Sequence, residues 1–215
     1  TQNGVRGGSA TVHFPIWHQE MEDILVLKNN KGTEDNRVRK LDYSIQISKL
    51  FYERFISGDD ITLFSPHEVP ELYDAWGTDK FDELYEIAER KTSVTKKKVS
   101  AQDLFGSMLK ERAETGRIYI MNIDHCNTHS SFKDRVTMSN LCQEITLPTD
   151  PIQHIDGEGE IALCILSAIN VGKISNLEEL EPICELAVRS LDEIIDHQLY
   201  PVKAAEISTK ARRSL

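Results

Sequence analysis

Asn140, Cys142 and Glu144 stand at every second position of "SNLCQEITLP", the stretch from Ser139 to Pro148. In an extended segment side chains two apart share a face. At a rise of about 3.3 Å per residue, these three span roughly the width of a sugar. An amide, a thiol and a carboxylate on one side can hold and act on one small polar ligand, with Leu141, Gln143 and Ile145 facing away. The carboxylate is informative about the thiol. A negative neighbour raises a thiol pKa, so Cys142 beside Glu144 is a poor hydrolytic nucleophile. A cysteine working as a radical needs no low pKa. It needs a dry pocket and a carboxylate to accept a proton from the substrate. His125 and His129 lie near enough in sequence to keep a Cys/His hydrolase as an alternative.

Other groups invite chemistry and have plainer explanations. "DHCNTHS" (Asp124 to Ser130) gathers two histidines around Cys126. A structural zinc site needs four ligands, commonly from a second paired cluster, and none follows, so a hydrogen-bonded turn at a strand end competes with metal binding. Cys164 sits inside the apolar run "IALCILSAINVG", where a free cysteine commonly serves as a small buried hydrophobe. Cys184 falls on an amphipathic helix and reads as core or partly buried filler. "GVRGG" lacks the spacing of a phosphate-binding fingerprint and reads as a turn carrying one cation, Arg6.

The elements that must position these residues alternate along the chain. Strands are expected at Ala10–Trp17 (broken near Pro15), around Leu41–Ile47, at Asp60–Pro66, at Arg117–Asp124 and at Ile161–Gly172, the last covered on both faces. Helices are expected after His18, from Lys49 to Gly58, as two short acidic pieces between His67 and Arg90, and behind the cap Ser100 as far as Gly116. A long amphipathic helix spans "NLEELEPICELAVRSLDEIIDHQ", and another begins after Tyr200. "KTSVTKKKVS" and "LPTDPIQHIDGEGE" read as loops. Strands alternating with helices specify an α/β fold with mostly parallel strands, too few and too unevenly spaced to close a barrel alone.

With 215 residues the chain can bury a real core. A net charge of −10 argues against general nucleic-acid or membrane-surface binding. No apolar run approaches the roughly 20 residues of a spanning helix. Four irregularly spaced cysteines make no disulfide scaffold and point to a reducing, cytoplasmic setting. The chain begins at Thr1 within "TQNGVRGGSA" and stops at "ARRSL", which reads as an internal piece of something longer.

Taken in order, "QNGVRGG", "LVLKNNKGTEDNRVRKLDYSIQI", "DITLFSPHEVPELYDA", "GRIYIMNIDHCNTHS", "SNLCQEITLP" and "GEIALCILSAINVG" resemble the large catalytic subunit of class I ribonucleotide reductase, most like its Ia type, through essentially the whole chain. The resemblance implies the central part of a ten-stranded α/β barrel, built of two five-stranded halves, with residues 137–148 as a central finger loop and residues 1–9 as part of the specificity loop. It implies that Cys142 becomes a thiyl radical, Glu144 is the base on the ribose 3′-hydroxyl, and Asn140 holds substrate. Cys164 would be one of two redox-active cysteines that reduce the substrate and end as a disulfide. Gln2 and Arg6 would relay the bound effector nucleotide to the substrate base.

No metal or cofactor is expected on this segment itself. The radical would come from a metal-containing small subunit, the effector nucleotides would bind the full subunit, and thioredoxin or glutaredoxin would restore the cysteines. The partner of Cys164, the first barrel strand and most of the effector site would lie upstream of Thr1. The later strands, the phosphate loop, the radical-relay tyrosines and a C-terminal cysteine pair would lie elsewhere in the full subunit. The isolated chain would then be inactive. A non-catalytic segment that only completes a barrel with other chains is the competing reading, alongside the hydrolase and metal-binding ones.

Overall fold

In the computed structural model, residues 4–5, 7–154 and 158–215 are described. They fall into two compact units, 1–146 and 147–215.

The first unit runs β1 (Thr11–Pro15), α1 (Met21–Leu25), β2 (Asp42–Ile47), α2 (Lys49–Ser57), β3 (Asp60–Phe64), α3 (Pro70–Ala75), α4 (Phe81–Arg90), β4 (Lys96–Ser100), α5 (Ala101–Thr115), β5 (Ile118–Asn122) and α6 (Ile123–Thr128). β1, β2 and β5 form a parallel sheet in that order, with His13 opposite Ser44 and Ser44 opposite Tyr119. Parallel strands need long crossovers, and the intervening helices supply them. The fold class is therefore α/β with a parallel sheet, as the alternation requires. α5 begins where Ser100 accepts the amide of Asp103 and ends on left-handed Gly116, as the cap residues specify.

Leucine, isoleucine and aromatic side chains from these elements make one core. Trp17, Phe51, Phe64, Phe81 and Tyr85 are almost wholly buried, and the Trp76 and Phe81 rings meet edge to face at 4.5 Å. Arg54 forks onto Glu89 with two 2.7 Å bonds, and Thr62 donates to the same carboxylate at 2.6 Å. Burial opposes the charge on Glu89, but these donors outweigh it and hold the carboxyl below its ordinary range. Burial also pushes the Tyr85 phenol well above its usual value.

The lysine-rich segment read as a solvated loop is strand β4, antiparallel to β3 with Leu63 opposite Lys97. β3 is buried and must satisfy its backbone groups, so its neighbour pairs with it. Lysines on an exposed strand also discourage further pairing. "DHCNT", read as a polar turn, is the short helix α6. It packs so close to Gly77 (φ +76°) that a Cβ there would sit 2.8 Å from both Asn127 Nδ2 and Ile123 Cγ1.

The second unit holds β6 (Asp150–His154), β7 (Glu158–Glu160), α7 (Leu180–His197) and α8 (Lys203–Arg212). β6 and β7 form an antiparallel ribbon where the sequence suggested only a loop. Gly159 (φ +95°) makes it possible, because a Cβ there would fall 2.3 Å from the Pro151 carbonyl oxygen. The expected strand Ile161–Gly172 is absent: residues 161–170 carry no regular structure. Among the described residues nothing offers this run a ladder. Ile165 N–H donates instead to Ser214 O (3.1 Å), and Ile161 O accepts from Ser208 Oγ. Arg213 ties the end of α8 to Asp192 (2.6 Å) and Asp196 (3.0 Å) on α7.

Candidate active site

The parallel sheet has two unlike faces. Tyr43, Ile45 and Ile47 point into the core, so the alternate residues Ser44 and Gln46 point the other way. They are nonetheless buried, Ser44 fully and Gln46 nearly so. Thr11 and His13 on β1 share their face by register. Buried polar groups cost about 1–3 kcal/mol each if unsatisfied, and a loop meets most of these, His13 Nδ1 being left without a partner among the described residues. Thr11 Oγ1 donates to Leu141 O at 2.6 Å, and His13 Nε2 lies 3.1 Å from Ser139 O. Gln46 Nε2 donates to Thr137 O (2.7 Å) while its Oε1 accepts from Trp76 Nε1 (2.8 Å). One carboxamide thus joins the aromatic core to the start of the loop. Burial pushes the His13 pKa down, the hydrogen bond to Ser139 only partly opposing it. Asn127 fixes the approach to the loop, donating to Val136 O (3.0 Å) and accepting from Val136 N (2.8 Å).

The loop is a tight reversal, which corrects the extended reading of "SNLCQEITLP". Gln143 N donates to Asn140 O (3.1 Å), and Ile145 N donates to Asn140 Oδ1 (3.0 Å). Gln143 has a left-handed φ of +66°. Strict period two therefore breaks here: Leu141, expected to face away from Cys142 and Glu144, is exposed together with them. Gln143 does turn in, accepting from Ser44 Oγ and donating from Nε2 to Ile120 O at 2.6 Å. Asn140 is half-buried with its Oδ1 committed to the loop; its Nδ2 makes no hydrogen bond among the described residues. The arrangement offers an exposed thiol, an exposed carboxylate and an amide donor on one braced turn.

Cys164 is half-buried in the irregular segment, with its Sγ 4.0 Å from Ile165 O, and burial raises its thiol pKa. Cys126 is half-buried with its pKa raised for the same reason. Cys184, expected to be core or partly buried filler, is exposed because the face of α7 that carries it is uncovered. Gln2 and Arg6 lie outside the described residues. Among the described residues, no hydrogen bond joins Cys142 to a histidine, and no three His, Cys, Asp or Glu side chains gather as a metal site. No helix among them is long and apolar enough to cross a membrane.

Sequence reasoning overlooked Gln143, Ser44, Gln46 and His13, which carry the loop. Its available signal was a serine and a glutamine on the alternate positions of a strand whose other face is wholly apolar.

The family model described as "Ribonucleotide reductase, barrel domain" matches residues 1–215. The chain belongs to that family. The ribonucleoside-diphosphate reductase subunit alpha of Haemophilus influenzae is 58% identical over the whole chain, and that of enterobacteria phage T4 is 45% identical. Subunit alpha of ribonucleoside-diphosphate reductase 1 from Escherichia coli is 55% identical over 71% of the chain. The chain spans 29% of the length of the Haemophilus and phage relatives.

Proposed function

We propose that this chain supplies the radical cysteine and the substrate-holding turn of a ribonucleoside-diphosphate reductase. In the assembled subunit it forms the middle of a ten-stranded barrel, with residues 137–148 as the finger loop. One observation carries the reading: the turn bearing Asn140, Cys142 and Glu144 is braced across the polar face of a parallel sheet, with the thiol and carboxylate left exposed.

As a thiyl radical, Cys142 takes the 3′-hydrogen of the ribose, becoming a thiol and leaving a carbon radical. Glu144 withdraws the 3′-hydroxyl proton, general base work at hydrogen-bond range that eases departure of the 2′-hydroxyl as water. Asn140 Nδ2 donates to a substrate oxygen. Cys164 and a second cysteine elsewhere in the subunit give two electrons and two protons and become a disulfide, which thioredoxin or glutaredoxin reopens by exchange. Cys142 then returns its hydrogen to C3′ and is again a radical. Ribonucleotide and two thiols thus become deoxyribonucleotide, disulfide and water. A metal-containing small subunit generates the radical, Gln2 and Arg6 carry the effector signal, and the assembly is cytoplasmic.

The test is Cys142→Ser in the complete large subunit with its small subunit. An O–H bond is stronger than S–H, so a seryl radical is not formed. Deoxynucleotide formation should drop at least about a thousandfold, some 4 kcal/mol in barrier. Measurable turnover near the parent rate would overturn the assignment.

A further inference from the structure

We propose that Gln143 is a positioning residue for the chemistry on either side of it, through a clamp that Ser44 and Ile120 close on its carboxamide. This rests on the reading of Cys142 and Glu144 given above.

The clamp stands on three observations. Gln143 lies between the two reactive residues, and its backbone is left-handed at φ +66°, a conformation that side chains other than glycine and asparagine adopt rarely. Something must hold it there. Its carboxamide is used at both ends: Oε1 accepts from Ser44 Oγ on β2, and Nε2 donates to Ile120 O on β5. Ser44 and Ile120 belong to paired strands of one rigid sheet, and Ser44 is fully buried. The turn is therefore indexed to the sheet at its apex, while Asn140 closes it only upon itself. Without the clamp the hydrogen bonds between Asn140 and Ile145, and the ties of β1 to Leu141 O and Ser139 O, can persist, but the turn can rock about them over β2 and β5. A displacement of about 1 Å at reacting atoms can cost two powers of ten in rate, so a small rocking matters.

The experiment uses the complete large subunit with its small subunit and four variants: Ser44→Ala, Gln143→Leu, the double variant, and Gln143→Glu. Both single variants should lower kcat about ten- to a hundredfold, or ~1.4–2.7 kcal/mol. KM should stay within about twofold, because Asn140 still meets the substrate. The double variant should be no worse than the worse single one, since both break one clamp. Hydrogen exchange at the Gln143 and Ile145 amides should speed up about tenfold in each.

Gln143→Glu supplies a readout that simple loss of packing would not move. Ionised, the new carboxylate can accept from Ser44 but only repel the Ile120 carbonyl. Protonated, it regains a donor. Facing that carbonyl, its pKa rises above the ordinary ~4.3. The variant-to-parent ratio of kcat should therefore climb as pH falls from about 8 to 5.5. His13, Tyr119, Cys142 and Glu144 are the titratable groups around this position, and Gln143→Leu measured over the same pH range supplies the profile of a site without the clamp and without the new carboxyl.

Unchanged kcat in the single variants, with Cys142→Ser inactive, overturns the clamp alone. So do additive losses in the double variant or a flat Gln143→Glu ratio. An active Cys142→Ser overturns the underlying assignment, and this inference falls with it.

Discussion

α4 in the first unit and α7 in the second carry the same kind of apolar stripe, and they meet different fates. On α4, Phe81, Tyr85 and Ala88 are buried against Trp17, Phe51 and Trp76. On α7 only Ile195 is buried, while Leu186 and Val188 are 67% and 55% exposed. The contrast holds for the units as wholes. Every member of the hydrophobic cluster lies between Ile16 and Val136, whereas the buried hydrophobics among the described residues of 147–215 are Ile195, Ala204 and Ala205. Amphipathic spacing thus announces a face to be covered without saying whether its cover is in reach. The second unit is held instead by polar ties such as Arg213 to Asp192 and Asp196, which solvent weakens.

The contrast is sharpened most by removing an aromatic ring from the first unit. Phe81→Ala should cost about 3–5 kcal/mol in chemical denaturation, through lost burial and a cavity among rings that cannot collapse. A cost under about 1 kcal/mol would mean that the core is not the single cluster described here.

A smaller loss is expected from Arg54→Met, which strands Glu89 beside Tyr85. The half-buried pair is worth about 2–3 kcal/mol at neutral pH, below the full cost of breaking a wholly buried one. The sign of its pH dependence follows from Glu89, whose folded pKa is depressed below 4.5. Its contribution is complete above the unfolded value and fades as pH falls through the folded one. Parent and variant should therefore converge in stability below about pH 4.5. A gap that widens there would contradict the assignment.

The smallest effect should come from Leu186→Ser on α7, within about 0.5 kcal/mol in this chain, since the side chain is already in water. A loss of 2 kcal/mol would break the comparison, showing that α7 is covered after all.

How much of this was legible in the sequence varies with the reach of each cause. The helix behind Ser100, its stop at Gly116, the break of β1 at Pro15 and the alternation of Tyr43, Ile45 and Ile47 arise from neighbours in the chain, and all were readable. β4 was hidden because its pairing answers the needs of β3, some thirty residues away, rather than its own lysines. The run around Cys164 was misread as a formed strand for the opposite reason: its composition suits one, but pairing needs a neighbour. The N-x-C-x-E spacing drew attention to the turn. Its geometry did not follow from spacing, because the φ of Gln143 and the grip of Ser44 and Ile120 are settled across the sheet.

Gln46, which joins the indole of Trp76 to the start of the loop, makes the site optically audible. The chain has two tryptophans, Trp17 and Trp76, both shielded from water, and among the described residues only Trp76 has a hydrogen-bond partner for its indole N–H. Indole emission shifts with the polarity and hydrogen bonding around the ring. With Trp17 replaced by phenylalanine, the colour of the remaining emission would report, without any attached dye, on the bond that links the core to the loop carrying Cys142.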